Sequence, residues 1–214
     1  MTYVAFAVYY EGATERAYFN VLIPKIMQEI VLHDGVRHST IPEGPVIELK
    51  RGGVEDVATA FCGERQAVHL FFVHADTGGR HLERDMHHRA GAYCERVNTM
   101  CGWPCDRCIL ITPRHETEAW VLADAQAIAD ALGYRGNLGA LNLPANGRQA
   151  ERVIDPKAEL ARVIEQVRGK RTANPLALMS AVAQAQSLDS LRTAPSFQAF
   201  EAQLRGALQS LGCL

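Results

Sequence analysis

The sequence predicts an α/β fold: a mostly parallel, Rossmann-like sheet of about four strands flanked by helices, followed by a helical C-terminal extension. Three observations predict it. Apolar runs of strand length alternate with helical periodicities along residues 1–132. Glycine, proline or short polar residues close each run. Beyond Gly133 the strand signals stop and only helical patterns remain.

The elements follow in order. The run from Val4 to Tyr10 holds β-branched and aromatic residues without a charge and reads as a buried strand. It ends in Glu11-Gly12-Ala13-Thr14-Glu15, where Gly12 permits a tight turn and Thr14 is a candidate helix cap. A helix to about His33 carries Phe19, Leu22, Ile23, Ile26, Ile30 and Val31 at helical spacing, with Pro24 predicting a kink or break. A short strand at Val46–Leu49 precedes Gly52-Gly53 and a helix bearing Val54, Val57, Ala60 and Phe61. Ala67–Val73 is the strongest strand signal, and it runs into His74-Ala75-Asp76-Thr77-Gly78-Gly79. A charged helix over about Leu82–Thr99, a strand at Cys108–Thr112 and a helix from the Pro113–Trp120 segment to about Leu132 complete a first domain, residues 1–132. Residues 133–214 form a second unit packed on it. It begins with a glycine-rich loop over 133–154 and continues with helices at Pro156–Val167, Pro175–Ala185 and Ser196–Leu211.

Bulk properties narrow the function. A net charge of −2 in 214 residues argues against a surface coated for nucleic-acid binding, where phosphate neutralisation dominates affinity. It leaves room for a local basic groove, to which Lys50-Arg51, Arg80, Arg84, Arg89, Arg114 and Lys170-Arg171 are candidates, or for a partner that holds the polymer. No apolar run reaches the roughly 20 residues of a membrane span, and the N-terminus lacks a secretory pattern, so a cytoplasmic protein is expected. In that compartment the cysteines are expected to be thiols or metal ligands rather than disulfides. Cys105-x-x-Cys108, with Cys101 and Cys94, has knuckle-like spacing for a structural zinc, against which stand a strand at Cys108 and a helix at Cys94.

Three strand ends carry acids: Glu11, Asp76, and the pair Glu116 and Glu118. Parallel strands bring such ends to one sheet edge, the edge at which open α/β sheets bind ligands. Carboxylates gathered there repel one another unless a cation neutralises them. Oxygen ligands favour Mg2+ or Mn2+, ions that organise phosphate oxygens and activate water. The expected chemistry is therefore metal-assisted phosphodiester hydrolysis, with Glu11, Asp76, Glu116 and Glu118 as metal ligands. His74 shares Asp76's side of an extended strand and is a candidate ligand or general base. Each residue also has a plainer role: Asp76 in an Asx turn, Glu116 as a helix cap, His74 as a satisfied strand-end imidazole.

Glu11-Gly-x-Thr-Glu15, the turn at Asp76, Glu118-Ala-Trp-Val-Leu-Ala-Asp124 and Ala194-Pro-Ser-Phe-x-x-Phe200 together resemble a small TOPRIM-like bacterial family of DUF4276 type. That family is related to RloB-like proteins and to the TOPRIM domains of OLD nucleases. The resemblance implies a TOPRIM fold, a magnesium site and a nuclease role in anti-phage defence beside an ATPase partner of AAA or ABC type. By position Glu11 matches the first-strand glutamate, Asp76 the second aspartate of Asp-x-Asp, and Glu118 the acid of Glu-Ala-Trp. His74 stands where the motif has its first aspartate, which removes one hard ligand. Two other functions fit the same residues: a non-catalytic interaction subunit of a defence complex, and a small-nucleotide phosphohydrolase. A homo-oligomer is compatible with each.

Overall fold

The computed structural model describes residues 2–76, 84, 87–169 and 174–214. Strands β1 (Thr2–Tyr3) and β2 (Phe6–Tyr9) lead into helix α1 (Ala13–Asp34). Strands β3 (Ser39–Thr40) and β4 (Ile47–Leu49) precede α2 (Val54–Glu64) and β5 (Leu70–His74). A π-helical turn at His87–Gly91 runs into α3 (Ala92–Cys101), which is followed by β6 (Cys108–Ile111). Then come α4 (Glu118–Val121), α5 (Ala125–Leu132), α6 (Gly147–Ala150), α7 (Pro156–Arg168), α8 (Pro175–Ala185), α9 (Leu188–Leu191) and α10 (Pro195–Ser210).

The main sheet has the order β4-β2-β5-β6, and all its pairings are parallel, as expected. β1 and β3 form a separate parallel pair that the sequence pattern does not announce. The two-residue period of a strand sorts the sheet side chains into two layers. Phe6, Val8, Leu70, Phe72, Ile109 and Ile111 face a core shared with α1, α8 and α10. Ala7, Tyr9, Phe71, Val73 and Cys108 face the opposite core, built with Val57 and Phe61 of α2 and Val97 of α3. Among the described residues no helix is long and apolar enough to cross a membrane.

Several local expectations are corrected. Gly12, not Thr14, is the N-cap of α1, and the Thr14 hydroxyl donates instead to Glu15 Oε2 at 3.0 Å. α1 runs through Pro24 without interruption; the proline ring is buried in the core, whose packing offsets one lost backbone hydrogen bond. The helix expected to reach Leu132 is two helices. Asp124 interrupts it, accepting from Ala127 N at 3.1 Å as the N-cap of α5 and from Ser187 N at 2.9 Å. The loop over 133–154 contains α6 and a 3-10 turn at Leu138–Leu141. Of the helix expected over Leu82–Thr99, residues 82, 83, 85 and 86 lie outside the described set, as do Thr77, Gly78 and Gly79 of the preceding turn.

The cysteines also differ from expectation. Cys62 pairs with Cys101 and Cys94 with Cys108, leaving Cys105 exposed and Cys213 buried. The cause is placement: α3 lies across α2 and the start of β6, bringing the paired Cα atoms to 5.9 and 5.7 Å, within bridging range. Three of the four candidate zinc ligands are thereby engaged in sulfur–sulfur bonds.

Trp120 joins the layers. Its ring is fully buried and meets Phe19 of α1 and Phe197 and Phe200 of α10 at centroid distances of 5.9, 5.0 and 5.6 Å. The indole N–H donates to Ser196 Oγ at 2.7 Å, and that hydroxyl and the Ser196 amide both donate to buried Glu151. The Trp120 carbonyl accepts from Gln186 Nε2 at 2.6 Å, while Gln186 Oε1 accepts from Tyr18. Replacing Trp120 with Ala opens a cavity and strands the Ser196–Glu151 pair. The expected loss is ~3–5 kcal/mol, read from the midpoint of urea unfolding; a loss under ~1 kcal/mol would contradict this central place for the indole.

Candidate active site

The strand order turns back between β2 and β5: β4 lies beyond one, β6 beyond the other. In parallel sheets the carboxyl ends flanking such a reversal splay apart and leave a crevice. The register sets Tyr9 opposite Val73 and His74 opposite Ile111, so all three strands end at one edge. Glu11 lies two residues beyond β2, Asp76 two beyond β5, and His115 and Glu116 shortly beyond β6. These four, with Arg89 and Asp155, line a concavity of about 490 Å³, and Ile154, 86 % exposed, stands at its rim.

Each acid is held differently. Glu11 is half-buried and makes no hydrogen bond among the described residues. Among the described residues Asp76 Oδ1 is buried without a hydrogen-bond partner, 3.3 Å from His74 Nε2, while the Asp76 backbone carbonyl accepts from Arg89 Nη1 at 2.8 Å. Glu116 Oε2 is likewise buried without a partner. Glu116 follows His115, whose φ of 69° lies in the left-handed region that residues with a side chain seldom adopt. This strained turn carries the chain from β6 back toward α4.

His74 is on the side of Asp76 that strand periodicity predicts, yet it is fully buried and underlies the concavity rather than lining it. Its ring packs on Phe19 at 5.0 Å, and its Nε2 lies 3.0 Å from Thr117 Oγ1. The Nε2 atom thus sits between the Thr117 hydroxyl and the Asp76 carboxylate, and among the described residues Nδ1 has no hydrogen-bond partner. Glu118 also lies beneath the surface, 7 % exposed. Burial raises its carboxyl above the usual range; the amide at the start of α4 lowers it, Glu116 raises it, Lys157 lowers it and Asp76 raises it. The two acids of this segment therefore divide, Glu116 lining the concavity and Glu118 supporting it from within. On the far side, the Tyr93 phenol bonds Tyr9 at 3.1 Å, and burial, that bond and the Glu11 charge all raise its pKa.

The donor set suits a divalent cation. Glu11, Asp76 and Glu116 offer hard oxygens, and two of those oxygens, Asp76 Oδ1 and Glu116 Oε2, are buried without a hydrogen bond among the described residues, which is costly unless a cation or water compensates. Among the described residues, no three His, Cys, Asp or Glu side chains are already drawn together as a ligand cluster. Cation binding therefore requires the carboxylates to close inward. Asp155 was not foreseen: its sequence signal, an acid before Pro156, marks only the N-cap that it is, accepting from Ala158 N at 2.8 Å.

The raised Glu118 pKa carries a sign. The folded state binds this proton more tightly than the unfolded chain, whose carboxyl titrates near 4.5. The contribution to stability is complete below about 4.5 and is lost as pH rises through the folded pKa. Glu118→Gln is thus expected to raise Tm at neutral pH in metal-free buffer, with the gain vanishing toward pH 4; a variant that melts lower at pH 7 would contradict this.

No curated protein and no solved structure matches the chain. A family described as a domain of unknown function, DUF4276, matches residues 10–205. That span runs from the end of β2 through α10 and holds every residue lining the concavity. The chain belongs to the DUF4276 family.

Proposed function

We propose that this protein is a divalent-metal-dependent nuclease of TOPRIM type that hydrolyses phosphodiester bonds in DNA or RNA. It acts as the effector subunit of an anti-phage defence system in which an ATPase partner engages the substrate. The observation that carries this reading is the pair of partnerless buried oxygens, Asp76 Oδ1 and Glu116 Oε2, in one concavity with Glu11 at the switch point of a parallel sheet. The near-neutral net charge supports a division of labour in which the partner supplies most of the polymer binding.

Asp76 and Glu116 hold the metal ion, with Glu11 completing the oxygen set. Bound Mg2+ or Mn2+ supplies a polarised phosphoryl oxygen and a water acidified for attack. The chain's own residues do the rest. His74, held at Thr117 beneath the floor, places its imidazole edge against Asp76. Glu118, buried beneath the acids, supports the segment that carries Glu116. The strained turn at His115 fixes where Glu116 enters.

A second reading is favoured by one observation: the size of the concavity, about 490 Å³, matches small-molecule sites, which suits a phosphohydrolase acting on a free nucleotide. An assay separates the two. Purified protein is incubated with DNA, RNA and mononucleotides in Mg2+ or Mn2+, with and without any ATPase found encoded beside it. The expected result is metal-dependent cleavage of a polymer, reduced ~100-fold or more in Glu11→Gln and Asp76→Asn, the scale of losing a group that stabilises transition-state charge. Turnover of mononucleotides alone selects the second reading. Cleavage indifferent to both substitutions rejects the site, and no hydrolysis under any condition leaves a non-catalytic interaction subunit.

A further inference from the structure

The concavity is acidic, yet one guanidinium stands in it. Arg89 lines it together with Glu11, Asp76, Glu116 and Asp155, and it is the only Lys or Arg among the described lining residues. In such company an arginine is expected to be consumed by an ion pair. Instead, among the described residues, its hydrogen bond goes to the backbone carbonyl of Asp76, at 2.8 Å from Nη1, and it makes no carboxylate contact within ion-pair distance. One of five N–H donors is thereby spent on aiming the group, and no carboxylate among the described residues pairs with it. Arg89 sits on the π-helical turn His87–Gly91. Such turns interrupt a helix at an energetic cost and recur at functional sites. This one joins α3, which the Cys62–Cys101 and Cys94–Cys108 bridges tether to α2 and β6, so the turn starts from a fixed base.

The geometry points to Arg89 as the anchor for a phosphate group of the substrate, gripping its non-bridging oxygens at the mouth of the acidic concavity. A planar fork held at one corner presents its remaining donors in the geometry that phosphate oxygens accept two at a time. The same anchor answers how an anion enters a concavity walled by four acids: the metal ion neutralises the carboxylates and Arg89 meets the anion's own charge. This inference rests on the proposed function for its ligand class, a phosphoryl group, but not on turnover.

The test is a binding measurement on the full chain. Wild type, Arg89→Met and Arg89→Lys are titrated with inorganic phosphate in saturating Mg2+, with 31P NMR as the readout, and Mg2+ affinity is measured separately by calorimetry. Arg89 is exposed, and thermal melts of the variants check that the fold is kept. Phosphate affinity is expected to fall about tenfold or more in Arg89→Met, the scale of a charge-assisted hydrogen bond, and by less in Arg89→Lys, which keeps charge without the fork. Mg2+ affinity is expected to stay level or rise, since a cation has left an acidic site. Equal phosphate affinity in wild type and Arg89→Met overturns the inference, as does a wild type that binds no phosphate. Phosphate held through Arg89 by a protein that cleaves no phosphodiester sustains the anchor and rejects the nuclease.

Discussion

The burial of Trp120 is the constraint on which the rest of the structure depends. The indole is held by α1 and α10 at once, its N–H is fixed through Ser196 to Glu151, and the Trp120 carbonyl accepts from the Gln186 side chain. Trp120 lies only two residues after Glu118 and four after Glu116. Seating the ring therefore decides where the chain leaving β6 must turn. Helices distant in sequence from the sheet thus fix one wall of the concavity.

Against that wall works electrostatic repulsion. Glu11, Asp76, Glu116 and Asp155 share one opening, and Glu118 lies below them. The fold tolerates this by unequal means. Glu118 holds its proton more tightly because it is buried, Asp155 is spent on capping α7, and Asp76 has an imidazole beside one oxygen. Glu11 and Glu116 keep less local compensation. Interactions that would satisfy every acid internally would stabilise the fold and leave nothing to hold a ligand, a conflict common to functional sites.

Much of this was legible in the sequence because topology, rather than detailed packing, determines it. Alternating strand and helix patterns imply parallel strands, and parallel strands place Glu11, Asp76 and Glu116 on one edge whatever their side chains touch. The two-residue period also put His74 beside Asp76. What it left open was the cover: Phe19 of α1 closes over that imidazole, and only packing across the sheet reveals that His74 supports the site from below. The separation of Glu116 from Glu118 follows from the short α4, too brief to leave a periodic signal. Cys62 was illegible as a partner of Cys101 because 39 residues separate them and compartment arguments favoured thiols. Arg89 was readable as a basic residue, but its attachment to the Asp76 carbonyl depends on a π-helical turn that no residue pattern announces.

The central claim is that Glu11, Asp76 and Glu116 form one cation site, and metal affinity tests it most directly. Mn2+ binding to the purified chain, followed by water-proton relaxation, is expected to show a saturable site competed by Mg2+. Weakening that site in Glu11→Gln, Asp76→Asn and Glu116→Gln alike, with folding intact, is the predicted result. Mn2+ affinity unchanged by all three substitutions would contradict the account, whatever activity the protein displayed.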